Sequence, residues 1–138
     1  MSEKKIEIYI DGASSSNPGH AGSGFVILLN GEVIASRGFY IGVQTNNVAE
    51  YCALIYALKK LGDYVSNPED ITIYSDSKLV VNQVIGAWRI NNINMAKLCQ
   101  RVKILWKLYP NTKLIWIPRS KNIADSIAKQ SSKEQKDI

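Results

Sequence analysis

Hydrophobic and polar positions alternate from residue 5 to residue 11: Ile6, Ile8 and Ile10 share one face of an extended chain, and Glu7, Tyr9 and Asp11 share the other. The stretch GASSSNPGHAG that follows has the Gly, Ser, Asn and Pro content of a loop. Residues 23 to 29 read as a second strand, Asn30-Gly31 as a hairpin turn, and 32 to 41 as the return strand. The period then lengthens. Thr45-Asn46-Asn47 offers N-caps for a helix running to about Leu61. Gly62 and Asn67-Pro68 break the chain, and 70 to 75 alternates again as a fourth strand. A helix is predicted from near Ser77 to about Ile85, and another over about 94 to 108, ending before Pro110. A fifth strand, Lys113 to Ile117, is stopped by Pro118, and a last helix starts near Ser120 to Asn122. The order β-β-β-α-β-α-α-β-α predicts an α/β fold: a three-stranded antiparallel meander joined to parallel strands in one five-stranded mixed sheet, with helices on its faces.

Two strands nearly repeat each other. IEIYIDG, residues 6 to 12, and ITIYSDS, residues 71 to 77, both end on an aspartate. Asp11 and Asp76 have the same parity relative to the flanking Ile and Tyr residues. As parallel neighbours the two strands would project both carboxylates from one face at their carboxyl ends, where sites form in α/β sheets. A single aspartate there would be ordinary turn chemistry; the matched pair favours a site. Glu50 is the only charged residue between Asn47 and Lys59, on a helix with apolar residues all round, so it is predicted to be largely buried. A buried carboxylate is costly unless it is protonated or bound to a cation. The competing reading places Glu50 in a first helical turn, stabilised by the dipole. Asp125, in RSKNIADSIAKQ, also suits a first turn, and Asn122 to Asp125 is spaced like a weak capping box.

Taken together, these four acids match hard divalent cations, which take oxygen ligands. Two such ions about 3.5 to 4 Å apart can activate water and stabilise the leaving oxygen of a phosphodiester. No Cys/His cluster has zinc spacing, and a lone His20 cannot complete a Ser-His-Asp triad.

Charge and composition sharpen this picture only slightly. The 138 residues carry a net charge of +5 with a pI of 9.2, which favours polyanionic partners such as nucleic acid. Hydrophobic residues are 46% and charged residues 21%, the balance of a globular chain. One domain is expected over residues 1–130, with 131–138, SSKEQKDI, as a frayed tail without apolar period. No apolar run reaches the roughly 18 to 20 residues of a bilayer span, and a strand occupies the place of a signal peptide, so no membrane contact is expected. Cys52 and Cys99 are too few for a disulfide scaffold and point to a reducing cytoplasm. A monomer is expected.

In order along the chain, DGASSSNPGHAGSG, TNNVAEY, YSDSKLVVNQV and RSKNIADSIAK resemble the successive motifs of the type 1 ribonuclease H family. The match extends from about residue 6 to residue 130. It implies the RNase H-like fold and an endoribonuclease that cuts the RNA strand of RNA–DNA hybrids with two Mg²⁺ or Mn²⁺ ions, leaving 5′-phosphate and 3′-hydroxyl ends. By position, Asp11, Glu50, Asp76 and Asp125 would be the metal-binding catalytic acids. Asn17, Asn46, Asn47 and Ser77 would contact the hybrid, and Thr45 would bind a DNA phosphate. Such amides and hydroxyls also suit minor-groove edges and 2′-hydroxyls.

This chain departs from the family pattern in two places. The loop before the last acidic helix is Pro118-Arg119-Ser120-Lys121, without the histidine of many members, so Arg119 is assigned to phosphate handling there. GAWRINNINM replaces a basic, Trp-rich handle, which leaves substrate grip to Trp88, Arg89 and scattered lysines. Lys78 stands where a hybrid-contacting Gln often occurs. Trp106 and Trp116 are assigned to the core. The alternatives are another nuclease of the same fold acting on double-stranded RNA or DNA, and a non-catalytic hybrid-binding module.

Overall fold

The computed structural model describes residues 4–138, so the first three residues of the expected domain lie outside it. Strands β1 (Ile6–Ser14), β2 (Gly19–Leu29) and β3 (Glu32–Gln44) lead into helix α1 (Asn46–Lys60); β4 (Ile71–Ser75), α2 (Lys78–Val84), α3 (Ile93–Trp106), β5 (Thr112–Trp116) and α4 (Asp125–Glu134) complete the chain. The sheet order is β3-β2-β1-β4-β5, antiparallel between β1, β2 and β3 and parallel from β1 through β4 to β5. This is the predicted mixed sheet in the predicted element order.

Alternation in β1 and β4 decides which face is covered. Ile6, Ile8, Ile10, Ile71 and Ile73 are sealed beneath Leu54 and Leu58 of α1, and α3 packs against α1. The helix α4 crosses the opposite face, over β1, β2 and β3. It lies directly on backbone there: a Cβ added at Gly22 would stand 2.6 Å from the Ala128 carbonyl oxygen.

Several expectations are corrected. The loop after β1 is shorter than its composition implies, because pairing continues to Ser14 opposite Ala21 and Ser15 N–H donates to the His20 carbonyl at 2.9 Å. The last helix begins at Asp125, preceded by a 3-10 turn at Arg119–Lys121, and Asn122 does not close a capping box because its side chain is engaged across the sheet end. Trp116 is not core: it lies on outermost β5 and is exposed, whereas Trp106 does pack partly against the core.

Residues 131–138 do not fray either. Ser131 and Ser132 are buried, Ser131 standing where α4 meets Gly22 and Gly38, a contact too close for a larger side chain. After α4 the chain turns through Gln135 in the left-handed region and returns to β3. There Gly38 and Ile138 exchange backbone hydrogen bonds of 3.1 and 2.8 Å, and Tyr40 N–H donates to Asp137 at 2.9 Å.

Candidate active site

Strands β1 and β4 are parallel neighbours, with Ile10 opposite Ser75 as the last paired residues. Asp11 and Asp76 each stand one residue further on, at the carboxyl end, as their shared parity predicts. Helix α1 brings Glu50. Thr45 caps its start, its hydroxyl accepting from Val48 N–H at 3.3 Å. Because α1 begins at Asn46, Glu50 falls in the second turn, beyond the reach of the first-turn dipole reading. The absence of a side chain at Gly12 allows the approach: a Cβ there would lie 2.4 Å from both Ala49 C and Glu50 N.

As a result, Asp11, Glu50 and Asp76 each offer a carboxylate oxygen, all within 4.8 Å of one another. Asp11 and Glu50 are buried and Asp76 is half-buried. Asp125 opens α4 beside Asp11, but its carboxylate already has cationic company. Lys129 Nζ lies 2.9 Å from one oxygen, and Arg119 Nε lies 3.8 Å from the other, too far for a hydrogen bond.

Burial pushes the Asp11 carboxyl up to about 7, with Asp76 and Asp125 adding repulsion against a hydrogen bond from Glu50. Burial, and then the charge of Asp11, hold Glu50 well above the ordinary carboxylate range. For Asp125 burial works in the same direction, but Lys129 at hydrogen-bond distance outweighs it and the carboxyl lies below its ordinary value. The donor set passes a direct test for a cation. One oxygen each of Asp11, Glu50 and Asp125 is buried without a hydrogen-bond partner, a costly arrangement that a hard cation would relieve.

This has a measurable consequence. The folded Asp11 carboxyl titrates near 7 against 3.8 for the free group, so between those values the native state binds more protons than the unfolded chain. Through Asp11, stability of the metal-free protein should therefore fall as pH rises from about 4 to about 7, and Glu50, raised by the same burial, acts in the same direction. Thermal melting in chelator at pH 5 and pH 8 should show the higher midpoint at pH 5, and added Mg²⁺ should restore it at pH 8. A higher midpoint at pH 8 in chelator would contradict the assignment.

Asp11, Glu50 and Asp76 open into a cleft of about 750 Å³, whose lining does not include Asp125. Of the sequence-predicted contacts, Asn46, Asn47, Ser77 and Arg119 line it. Asn17 and Thr45 do not; they brace the start of α1, Asn17 Oδ1 accepting from Asn46 N–H at 3.1 Å and Thr45 acting as N-cap. Trp88 and Arg89 are exposed on the connection between α2 and α3, away from the cleft lining. Lys129 and Lys133 also line the cleft and were missed. Their signal was available, since positions 125, 129 and 133 fall on one helical face.

The family model described as RNase H matches residues 3–133. A ribonuclease HI from Halobacterium salinarum is 36% identical over 129 residues, covering 92% of this chain and 64% of that one. A bifunctional protein from Mycobacterium tuberculosis is 37% identical over 130 residues, covering 90% of this chain and 34% of its own length. This chain therefore spans less than two thirds of either relative. Among solved structures, LC11-RNase H1 in complex with an RNA/DNA hybrid superposes with a TM-score of 0.88 at 34% identity, covering 95% of this chain and 99% of that one. An acid cluster at the end of two parallel strands, on this sheet order, thus coincides with a sequence match over nearly the whole chain, and the protein belongs to the RNase H family.

Proposed function

We propose that this protein is a divalent-cation-dependent endoribonuclease that cleaves the RNA strand of RNA–DNA hybrids, leaving 5′-phosphate and 3′-hydroxyl ends. The observation that carries this reading is the pair of buried, unpartnered carboxylate oxygens of Asp11 and Glu50 in a cleft lined by amides, hydroxyls and cations. Membership of the family and the hybrid-bound neighbour support it. A purely binding module would have no use for negative charge crowded against phosphate.

Asp11, Glu50, Asp76 and Asp125 would hold two Mg²⁺ or Mn²⁺ ions, their oxygens matching the preference of hard cations. Such ions supply Lewis acidity to the attacking water and the departing 3′-oxygen. Arg119, Lys129 and Lys133 supply positive charge along the rim, where a phosphate can be held. Asn46, Asn47 and Ser77 present neutral donors and acceptors to groove edges and 2′-hydroxyls, a mode that reads duplex type rather than base sequence. Asn17 and Thr45 act behind them, and Trp88 and Arg89 touch the duplex farther out. The same reading has the protein act as a cytoplasmic monomer, with both cysteines as free thiols; among the described residues no helix is long and apolar enough to cross a membrane.

Labelled RNA–DNA hybrid, double-stranded RNA and double-stranded DNA, each with Mg²⁺, with Mn²⁺ and with chelator, test the proposal together. RNA-strand cleavage of the hybrid that stops in chelator is expected, and the double-stranded RNA arm tests a second substrate. Cleavage of DNA alone, or cleavage that persists in chelator, would overturn it. In the same assay Arg119→Ala should lower kcat more than it raises KM, with Arg119→Lys recovering only part of the loss. A change in KM alone would make Arg119 a general phosphate anchor instead.

A further inference from the structure

Asn122 lies between the Arg119–Lys121 turn and α4, with 6% of its surface exposed. A buried amide needs partners for both its ends. Its Nδ2 donates to the Ile10 carbonyl at 2.9 Å and to Asp76 Oδ2 at 3.2 Å, and its Oδ1 accepts from Ala124 N–H at 3.1 Å. The orientation of the amide follows from its partners. Carbonyl and carboxylate oxygens only accept here and the backbone N–H only donates, so a flipped amide would lose all of these bonds.

Each partner touches the acid cluster. Ile10 precedes Asp11 in β1, Asp76 is itself an acid, and Ala124 precedes Asp125, whose own N–H donates to the Asn122 carbonyl at 3.2 Å. Two of the bonds span 112 and 46 residues of sequence, so they do more than shape a local turn. They tie the end of β1, the end of β4 and the start of α4 at one point. A carboxylate held by a fixed donor presents its remaining lone pairs in a fixed direction.

We propose that Asn122 is a positioning residue for the acid cluster, its amide holding the Asp76 carboxylate and the end of β1 in register with α4 so that the cation-binding oxygens are in place before a cation arrives. This rests on the reading of the acids as metal ligands.

Asn122→Ser and Asn122→Ala separate positioning from turn formation. A serine hydroxyl can still accept from the nearby backbone N–H, as hydroxyls do in such turns, but it is too short to reach both Ile10 and Asp76. It also adds no charge that a cation would bind. Mn²⁺ affinity is measured by titration calorimetry without nucleic acid, circular dichroism checks the fold, and kcat and KM are measured on hybrid. Both variants should bind Mn²⁺ about tenfold or more weakly and lose kcat with KM within about twofold. Should Asn122→Ala unfold, the serine variant alone decides. Wild-type Mn²⁺ affinity and kcat in a folded Asn122→Ser protein would overturn the proposal and leave Asn122 a turn residue. A wild-type protein that binds Mn²⁺ but leaves hybrid intact sinks the endonuclease reading, and the Mn²⁺ comparison still tests Asn122. No Mn²⁺ binding by the wild type overturns both.

Discussion

Asp11→Asn should abolish cation-dependent cleavage and, at pH 8 in chelator, make the protein more stable. The two effects have one cause. Asp11 is 2% exposed and faces Glu50, Asp76 and Asp125, so at pH 8 its ionised form carries both a desolvation cost and like-charge repulsion. An asparagine keeps the shape, removes the charge and offers N–H donors near the Glu50 and Asp125 oxygens that lack a partner. Relief of a carboxyl displaced from 3.8 to about 7 is worth on the order of a few kcal/mol above the upper value. The loss of a cation ligand acts on the transition state, where several kcal/mol correspond to about a thousand-fold or more in kcat. Melting curves in chelator and single-turnover cleavage in Mg²⁺ measure the two effects separately. The variant should also lose much of the pH dependence of melting between about pH 4 and 7. Cleavage at the wild-type rate, or a lower melting midpoint in chelator, would refute the assignment.

Gly12→Ala should be about as damaging to activity and far more damaging to the fold. The added methyl would sit 2.4 Å from backbone atoms of Ala49 and Glu50, and the backbone of a packed helix cannot swing aside as a side-chain tip can. Helix α1 must lift from β1, which costs about 3 kcal/mol or more by the standards of overpacked cores, or roughly 10 °C in melting temperature for a chain of this size. The same displacement carries Glu50 away from Asp11, so residual activity should fall even at temperatures where the variant is folded. Gly62→Ala is the control, because a Cβ there meets only the Tyr109 hydroxyl at 3.7 Å. If both alanine variants melt within a degree or two of wild type, the close approach of α1 is not what holds Glu50 in the site.

The sheet and two of the acids were legible because strand periodicity reduces them to counting. Ile6, Ile8 and Ile10 had to share a face, so Asp11 had to point away from it, and the echo at 71 to 77 repeated the argument for Asp76. Glu50 was legible as a lone charge on an apolar helix. Asn122 was not. Within a local window it looks like a cap, and its decisive partners lie 112 and 46 residues away. Trp116 was misassigned because burial depends on strand order: β5 is outermost, and nothing in LIWIP says that no further strand flanks it. Its indole N–H donates to the Asp76 carbonyl at 3.1 Å while Lys78 sits 4.9 Å from the ring centroid, which leaves the ring at the rim of the site. The tail was misread because small polar residues pass for solvent-facing ones, whereas Ser131 is buried where α4 nearly touches the sheet.

The return of the tail to β3 changes what the molecule offers to other copies of itself. At 13 residues β3 is the longest strand, and it lies at the margin of the sheet, where unpaired N–H and C=O groups form a template for strand addition. Ile138 occupies the outward-facing groups of Gly38, and Asp137 takes the N–H of Tyr40. An incoming strand would have to displace these bonds before it could pair along the middle of β3. Asp137 and Ile138 therefore leave less of this edge free for strand addition, although they carry none of the site's chemistry.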